Sequence, residues 1–346
     1  MTSPEPALVA RFRVECERLL GAPLGDGRLA LAVSGGPDSM AMLALAAAAF
    51  PGRVTAATVD HGLRAESADE AAMVSAYCAT LSVPHATLVI AEPSPATGNL
   101  HAWAREHRYA LLLRWAADAL CGALLTAHHA DYQAETFLMR AARGSGVAGL
   151  AGIRATQTLP LARPADLPLR SSALAAGIVS ITICRPLLAW RRDSLRELAL
   201  AAEAPFIDDP SNGNVRFERA RVRASLATLD WLDPVRVAAA AAHAAEADEA
   251  LEQATRLFWR QRVGDAESGD ISIDMAGLPR EIRRRLARQA ITTIMLGSEL
   301  PITATDNIES LIESLEAGRR GEHGGVLASA KRQIWRFRPA PPRRSH

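Results

Sequence analysis

The sequence has little of what marks a secreted, membrane-bound or cluster-bearing protein. It has four cysteines, Cys16, Cys78, Cys121 and Cys184. No two stand close enough for a CxxC pair, a zinc spacing or a dense disulfide framework. A reducing, cytoplasmic compartment follows from that usage. The longest apolar run, Met40 to Phe50, falls far short of the roughly 20 residues that cross a bilayer. Met1 to Ala10 lacks the charged-then-apolar order of a signal peptide. No membrane partner is expected. Charge of one sign is missing too: 39 basic residues face 38 acidic ones, net +1. That excludes a uniformly basic, histone-like protein and leaves a local basic patch open. Lysine is almost absent. Lys331 is the only one, so 39 less 1 leaves 38 arginines. A GC-rich genome accounts for such a bias, and the planar guanidinium still suits phosphate and carboxylate.

What is present is ordinary globular material, 346 residues with 49% apolar and 22% charged. Such a chain suits two or three domains and is not a disordered polymer. Short apolar runs at 28–33, 53–59, 86–90, 122–126 and 179–183 read as buried strands. Helical stretches at 7–20, 38 onward, 66–81, 99–120, 132–143 and 193–204 alternate with them. That order predicts a doubly wound α/β fold with a five-stranded parallel sheet, its ligand beyond the carboxyl ends of the strands. From about residue 216 the pattern becomes mainly helical, at 216–230, 234–262, 279–297 and 303–317, with Val326 to Phe337 as possible strands. The boundary falls in the Asp208-Asp209-Pro210-Ser211-Asn212-Gly213 stretch, giving domains 1–212 and 213–338 and a disordered tail 339–346. Residues 154–177, with three prolines and no periodicity, read as an exposed insertion.

Three stretches carry chemistry. Ser34-Gly35-Gly36-Pro37-Asp38-Ser39 lies between a strand and a helix start. Its glycines let backbone amides approach an anion, and the helix aims free N–H groups and its positive end at the same place. Ser34 and Ser39 offer hydroxyls. Asp38 suits a Mg²⁺ shared with phosphate. The loop is not a Walker A motif, lacking Gly-Lys-Ser/Thr. Second, Thr126 to Thr136 follows the fourth strand with His128, His129, Asp131 and Glu135. These groups can hold metal or a cationic amine; a plain acidic helix start with solvated histidines is the alternative. Third, Arg216, Arg219, Arg221 and Arg223 form a basic cluster, with Arg219 and Arg223 on one helix face. A solvated basic face and a phosphate-binding face both fit it. A second cluster is Arg280, Arg283, Arg284, Arg285 and Arg288; residues 279–346 hold 13 basic against 7 acidic residues, net +6. That suits an RNA-grasping module, and structural charge pairing is the competing account.

The SGGPDS loop resembles that of the N-type ATP pyrophosphatases, the PP-loop superfamily. Val59-Asp60-His61-Gly62-Leu63-Arg64, the Thr126–Thr136 stretch with Arg140 and Arg143-Gly144-Ser145-Gly146, Ala104-Arg105-Glu106-His107-Arg108-Tyr109, Arg185-Pro186-Leu187-Leu188 and Asp209-Pro210-Ser211-Asn212 add to it. Together they resemble the tRNA(Ile)-lysidine synthetases over about residues 28–225. The resemblance implies an ATP-dependent, AMP-forming carbon–nitrogen ligase. It would adenylate the C2 oxygen of the wobble cytidine of tRNA(Ile) with a CAU anticodon. The amine of free L-lysine would then displace AMP, changing codon reading from AUG to AUA. It also implies ATP at Ser34 to Ser39 with Asp60 and His61, and Mg²⁺ at Asp38 and Asp131. Asp38, Asp131 and Arg219 would be catalytic, and Arg105, His128, His129, Glu135, Arg140, Arg221 and Arg223 would contact substrate or tRNA. A homodimer is compatible with the chain. Tyr132 stands where the family usually has a second aspartate, and Ala220 where Asn commonly follows the arginine. Asp131 alone suffices, Glu135 substitutes, or activity is reduced. The alternatives to lysidine synthesis are a related thiolase, disfavoured by the missing CxxC, and an inactive ATP- or tRNA-binding relative.

Overall fold

The computed structural model describes residues 2–62, 67–92, 95, 98, 100–161, 178–208, 218–264, 270–297 and 307–340. By compactness the chain forms two units, residues 1–245 and 246–346. The first unit holds a six-stranded sheet. Its strands are β1 (Leu29–Ala32), β2 (Val54–Asp60), β3 (His85–Val89), β4 (Ala123–Leu125), β5 (Thr156–Pro160) and β6 (Ser180–Cys184). The order is β3-β2-β1-β4-β6-β5, and every pair is parallel except β5–β6. The five parallel strands are those expected from the apolar runs. The sixth corrects the reading of 154–177 as an exposed insertion: residues 156–160 pair along β6, ending at Pro160 opposite Ser180. Proline is tolerated at such an edge. Residues 162–177 lie outside the described residues.

Strand alternation divides the core. Leu29, Leu31 and Val33 enter one cluster with the helices on that face, α1 (Pro6–Leu20), α2 (Pro37–Ala49) and α7 (Arg192–Ala201). Ala30, Leu124, Ile181 and Ile183 enter the other with α4 (Leu100–Asp118). Helix α2 is apolar on nearly all sides because it is buried between the sheet, α1 and α7. The remaining helices of this unit are α3 (Ser67–Thr80), α5 (Ala130–Ala142), α6 (Val147–Leu150) and α8 (Glu218–Ala227); α9 (Pro234–Arg262) starts here.

The division at 245/246 differs from the boundary placed at 212/213 in the sequence. The reason is α8, which packs on α5 and is tied to it by ion pairs to the buried Glu135. Residues 209–217, which include all of the Asp208–Gly213 stretch but Asp208 and also Arg216, lie outside the described residues.

The second unit contains α10 (Arg280–Leu296), α11 (Glu309–Glu316) and the end of α9. It also has an antiparallel sheet of β7 (Val263–Gly264), β8 (Ile271–Asp274), β9 (Arg320–His323), β10 (Val326–Lys331) and β11 (Ile334–Pro339), in the order β7-β8-β11-β10-β9. The expected Val326–Phe337 strands are thus two strands of five. The expected disordered tail at 339–346 needs correction at its start. Pro339 closes β11, and Ala340 N–H donates to Gly325 O at 2.7 Å. Residues 341–346 lie outside the described residues.

The second unit's core joins α10 and α11 to the inward sheet residues Val326, Ala328, Trp335 and Phe337. Within it Arg285 is 4% exposed and donates to Glu281 at 2.8 Å, Glu252 at 2.5 Å and Asp248 at 2.5 Å. Asp248 is itself buried. Removing one member of a buried pair leaves a desolvated charge, at a cost of roughly 3–5 kcal/mol. Arg285→Ala is therefore expected to lower the unfolding free energy of the second unit, read from denaturant titration, by an amount in that range. A shift below about 1 kcal/mol would show that the carboxylates rehydrate freely.

Candidate active site

The sheet order reverses direction between β1 and β4, so the loops that leave these two strands diverge and leave a crevice. Ligands of doubly wound sheets sit at such a switch point. The loop after β1 is Ser34–Ser39, and the loop after β4 is Thr126–His129. Their residues line one cleft, with Thr58 and His61 from the end of β2 and Arg108, Tyr109 and Leu112 from α4.

The first loop is shaped by local chemistry. Gly35 has φ +83°, and a side chain there would be strained and would meet Met73 and Val74. Gly36 caps α2 and Pro37 opens it. Ser39 Oγ donates to Gly36 O at 2.9 Å and accepts from Ser34 N–H at 3.1 Å. The Ser39 hydroxyl, its proton given to Gly36 O, thus braces the loop, and Ser34, Gly36 and the first turn of α2 line the cleft in an arrangement that suits an anion. Asp38 lines the same cleft, and its Oδ1 is buried without a hydrogen-bond partner among the described residues. A buried, unpaired carboxylate oxygen beside an anion site suits a divalent cation held jointly with phosphate.

Across the cleft the two histidines are in opposite states. His128 Nδ1 bonds Thr126 Oγ1 at 3.0 Å. Burial, with Arg185, Arg105 and Arg108 around it, pushes its pKa down to about 3, so the ring is neutral. His129 lies between two carboxylates: Nε2 is 3.5 Å from Asp38 Oδ2 and Nδ1 is 3.7 Å from Asp131 Oδ2. Burial lowers its pKa, but the bonds to Asp131 and Asp38 outweigh that and raise it to about 9. The same Nδ1 accepts the N–H of Tyr132 at 3.3 Å as the cap of α5. An imidazolium cannot accept at Nδ1, so the cap belongs to the neutral ring and the carboxylate bridge to the charged one.

Asp131 accepts from Arg191 Nε at 3.3 Å and from Arg192 N–H at 2.8 Å. Burial opposes its charge, yet His129, the Arg192 amide and Arg191 together bring its pKa down to about 2. Both of its oxygens are engaged by protein donors. Asp38 alone of the two aspartates thus offers a free oxygen to a cation. Among the described residues no group of three or more His, Cys, Asp or Glu is arranged to hold a metal.

Glu135 is 1% exposed and does not line the cleft. Arg223 donates to both of its oxygens, at 2.6 and 3.3 Å, and Arg219 stands 3.5 Å away. Arg219 also donates to Thr136 Oγ1 at 3.2 Å and lies 3.7 Å over the Tyr132 ring. The ring at the unusual position thus holds the arginine that the sequence singles out. Asp60 accepts from Gly62 N–H and Ser67 Oγ, which lowers its pKa and ties the loop after β2 to α3. Its neighbour His61 lines the cleft. Arg140 donates to Gly149 O at 2.8 Å and Gly152 O at 3.0 Å, bracing the turn after α5. Arg105 and Arg221 are exposed, Arg105 over the Tyr109 ring at 5.0 Å. Arg108 and Tyr109 were missed as site residues. Their one signal was the position of the Arg105–Tyr109 motif on a helix flanking the sheet, and only the three-dimensional fold brings them into the cleft.

Residues 9–229 match the family model of the PP-loop domain. The tRNA(Ile)-lysidine synthase of Zymomonas mobilis is 38% identical over 335 residues, spanning 96% of this chain and 94% of that protein. The tRNA(Ile)-lysidine synthase of a Bradyrhizobium species is 39% identical over 365 residues, 95% of each chain. Among solved structures, the U34-tRNA thiolase NcsA from Methanococcus maripaludis with its 4Fe-4S cluster shares the fold. Its TM-score is 0.52 at 17% identity, covering 70% of this chain and 80% of that one.

A group whose pKa rises on folding stabilises the fold fully below its unfolded value and loses that contribution as pH passes its folded value. For His129 the window runs from its ordinary 6.5 up to about 9. Stability is expected to fall across that window, and His129→Gln to flatten it. Ring proton NMR would find an apparent pKa near 9; titration at or below 6.5 would mean that the neutral, capping ring prevails.

Proposed function

The chain belongs to the PP-loop family, and within it to the tRNA(Ile)-lysidine synthases, and from that premise we infer that its cleft joins free lysine to C2 of the wobble cytidine in tRNA(Ile). The PP-loop family binds ATP. The observation that carries the reading is the switch-point cleft. A phosphate-cradling loop and an unpaired Asp38 oxygen stand on one side, with His129 bridging to Asp131 on the other.

In this reading the triphosphate of ATP lies on Ser34–Ser39, where the hydroxyls and the start of α2 receive negative charge. Asp38 Oδ1 would hold Mg²⁺, which would supply positive charge to offset that of the pyrophosphate. The target base leaves the anticodon stack to enter the cleft, as chemistry on a base requires. The cytosine C2 oxygen attacks the α-phosphorus and pyrophosphate leaves. The lysine ε-nitrogen then attacks C2, AMP leaves with the oxygen, and the nitrogen sheds a proton. Arg219, held by Glu135, Thr136 and Tyr132, presents fixed positive charge to the anion that forms. The imidazolium of His129 keeps Asp38 and Asp131 from repelling each other. None of the three candidate groups is tuned as a base near neutral pH: burial holds His128 near 3, its carboxylate neighbours hold His129 near 9, and Asp131 lies near 2. Arg105, Arg140, Arg221 and Arg223 remain our proposed tRNA-side contacts. Of these, Arg105 and Arg221 are exposed.

The thiolase alternative is disfavoured. The four cysteines are free and buried. Burial pushes the Cys78 thiol up to about 12 and those of Cys121 and Cys184 up to about 11. Thiols so held supply little thiolate. Among the described residues no helix is long and apolar enough to cross a membrane, and we place the reaction in the cytoplasm on the cysteine usage.

The deciding assay combines the protein with ATP, Mg²⁺ and radiolabelled lysine, and either tRNA(Ile) bearing CAU or initiator tRNA(Met), which shares that anticodon. Label is expected on tRNA(Ile) alone and lost in Asp38→Ala. ATP binding without label on either tRNA would overturn the reading. A second expectation concerns Tyr132. A cation–π contact contributes roughly 0.5–2 kcal/mol, equivalent to about a 2- to 30-fold effect on rate. Tyr132→Leu should slow lysine incorporation within that range, while Tyr132→Phe stays within about twofold. Equal rates for the leucine variant and the parent would mean that Glu135 and Thr136 hold Arg219 alone.

A further inference from the structure

The arginines of α10 are occupied. Arg280 pairs with Glu309 and Glu316, Arg283 with Glu316, Arg284 with Glu281 and Glu309, and Arg285 with Asp248, Glu252 and Glu281. The basic helix of the sequence is charge-neutralised by its own unit. Four unpaired cations of the unit are gathered instead on the outward face of its sheet, while Arg256 and Arg260 of α9 are exposed and unpaired singly among the described residues.

Alternation fixes that face. Trp335 and Phe337 of β11 and Val326 and Ala328 of β10 point into the core, so Arg336, Arg338, Ser329 and Lys331 point outward. The register sets Arg320, Ser329, Arg336 and Ser272 in one row across β9, β10, β11 and β8. Arg320 and Arg336 are two strands apart, about 9–10 Å, and Arg338 follows Arg336 by about 7 Å along the strand. Arg320, Lys331, Arg336 and Arg338 are exposed. None has an ion pair or hydrogen-bonded side-chain partner among the described residues. The outward carboxylates are Glu322 and Asp274, and Asp274 is already paired with Arg262 at 3.1 Å. The small Ser272 and Ser329 keep the row low.

Four like charges gathered on a flat face, with Glu322 as the one carboxylate there that no ion pair engages, do not stabilise a sheet. They suit a polyanion. The face has no outward aromatic among the described residues and only Leu327 and Ile334 as large apolar groups, so it lacks the buried anchor of a protein interface. Phosphate contacts need no such anchor, being electrostatic and independent of sequence. We propose that the outward face of the β9-β10-β11-β8 sheet, through Arg320, Lys331, Arg336 and Arg338, docks the phosphate backbone of the tRNA substrate. This rests on the tRNA reading above and adds the surface that grips the RNA.

The test uses the full chain, a tRNA(Ile) transcript, and affinity measured from 50 to 300 mM salt. Each lost phosphate contact removes about 0.7 to 0.9 from the slope of log affinity against log salt. Arg336→Ser combined with Arg338→Ser should flatten the slope by about 1.4 to 1.8 and weaken binding roughly tenfold or more at 100 mM salt. The KM for tRNA should rise with kcat unchanged. Arg283→Ala on α10 should leave the slope as it was. Unchanged affinity and slope in the double variant, with a native melting profile, would overturn the proposal. So would a change in self-association without a change in tRNA binding, which would mark the face as a protein contact. Failure of the lysidine reading is separable, since it would show as tRNA bound by the parent protein without lysine transfer.

Discussion

The site depends on one buried negative charge. Glu135 stands in the second turn of α5, shielded from water, with two guanidiniums from α8 upon it. A carboxylate so placed cannot remain charged without partners. Satisfying it fixes α8 against α5 and thereby sets where Arg219 stands. It also explains why the first compact unit runs past the composition change near residue 213: α8 is polar and reads as part of a helical appendage, yet its arginines complete an ion pair inside the α/β unit.

The cleft itself follows from strand order. The β1 and β4 loops face each other only because connections leave those two strands in opposite directions. Two electrostatic regimes result on the two sides of one peptide bond. His128 faces arginines and is neutral; His129 faces Asp38 and Asp131 and carries charge. Adjacent histidines of one motif thus have separate tasks, one as a polar neutral wall and one as a cation that lets two carboxylates share a small volume.

Much of this was legible in the sequence, and the limits have physical causes. The parallel strands and their helices were readable because each run is short, apolar and bounded by glycine or proline. Strand β5 was not, because Thr156–Pro160 has exposed side chains and pairs only along one edge. The phosphate loop was readable from six contiguous residues. The cleft role of Arg108 and Tyr109 was not, since it depends on which face of α4 meets the sheet end. Composition alone made the α10 arginines resemble an RNA grip; their partners Glu309 and Glu316 lie 25 or more residues away, and only the fold reveals the pairing. The free cations of β10 and β11 drew less notice because they alternate with core residues. Of the tryptophans, Trp335 is buried and Trp231 is 74% exposed, a difference that sequence could not supply.

Tyr132 shows how a site can change a residue type and keep its geometry. A carboxylate there would meet Arg219 as an ion pair and would add a third negative charge to Asp38 and Asp131 in the same cleft. A phenol ring meets the same guanidinium face to face at 3.7 Å and adds no charge. The cation is held either way, but the electrostatic balance of the cleft shifts toward positive. With one acid fewer, the His129 imidazolium is shared by two carboxylates rather than three, and Asp38 is the aspartate left with a free oxygen. Asp38 thus keeps the one unengaged carboxylate oxygen of the two cleft aspartates, while Arg219 remains pinned by Glu135.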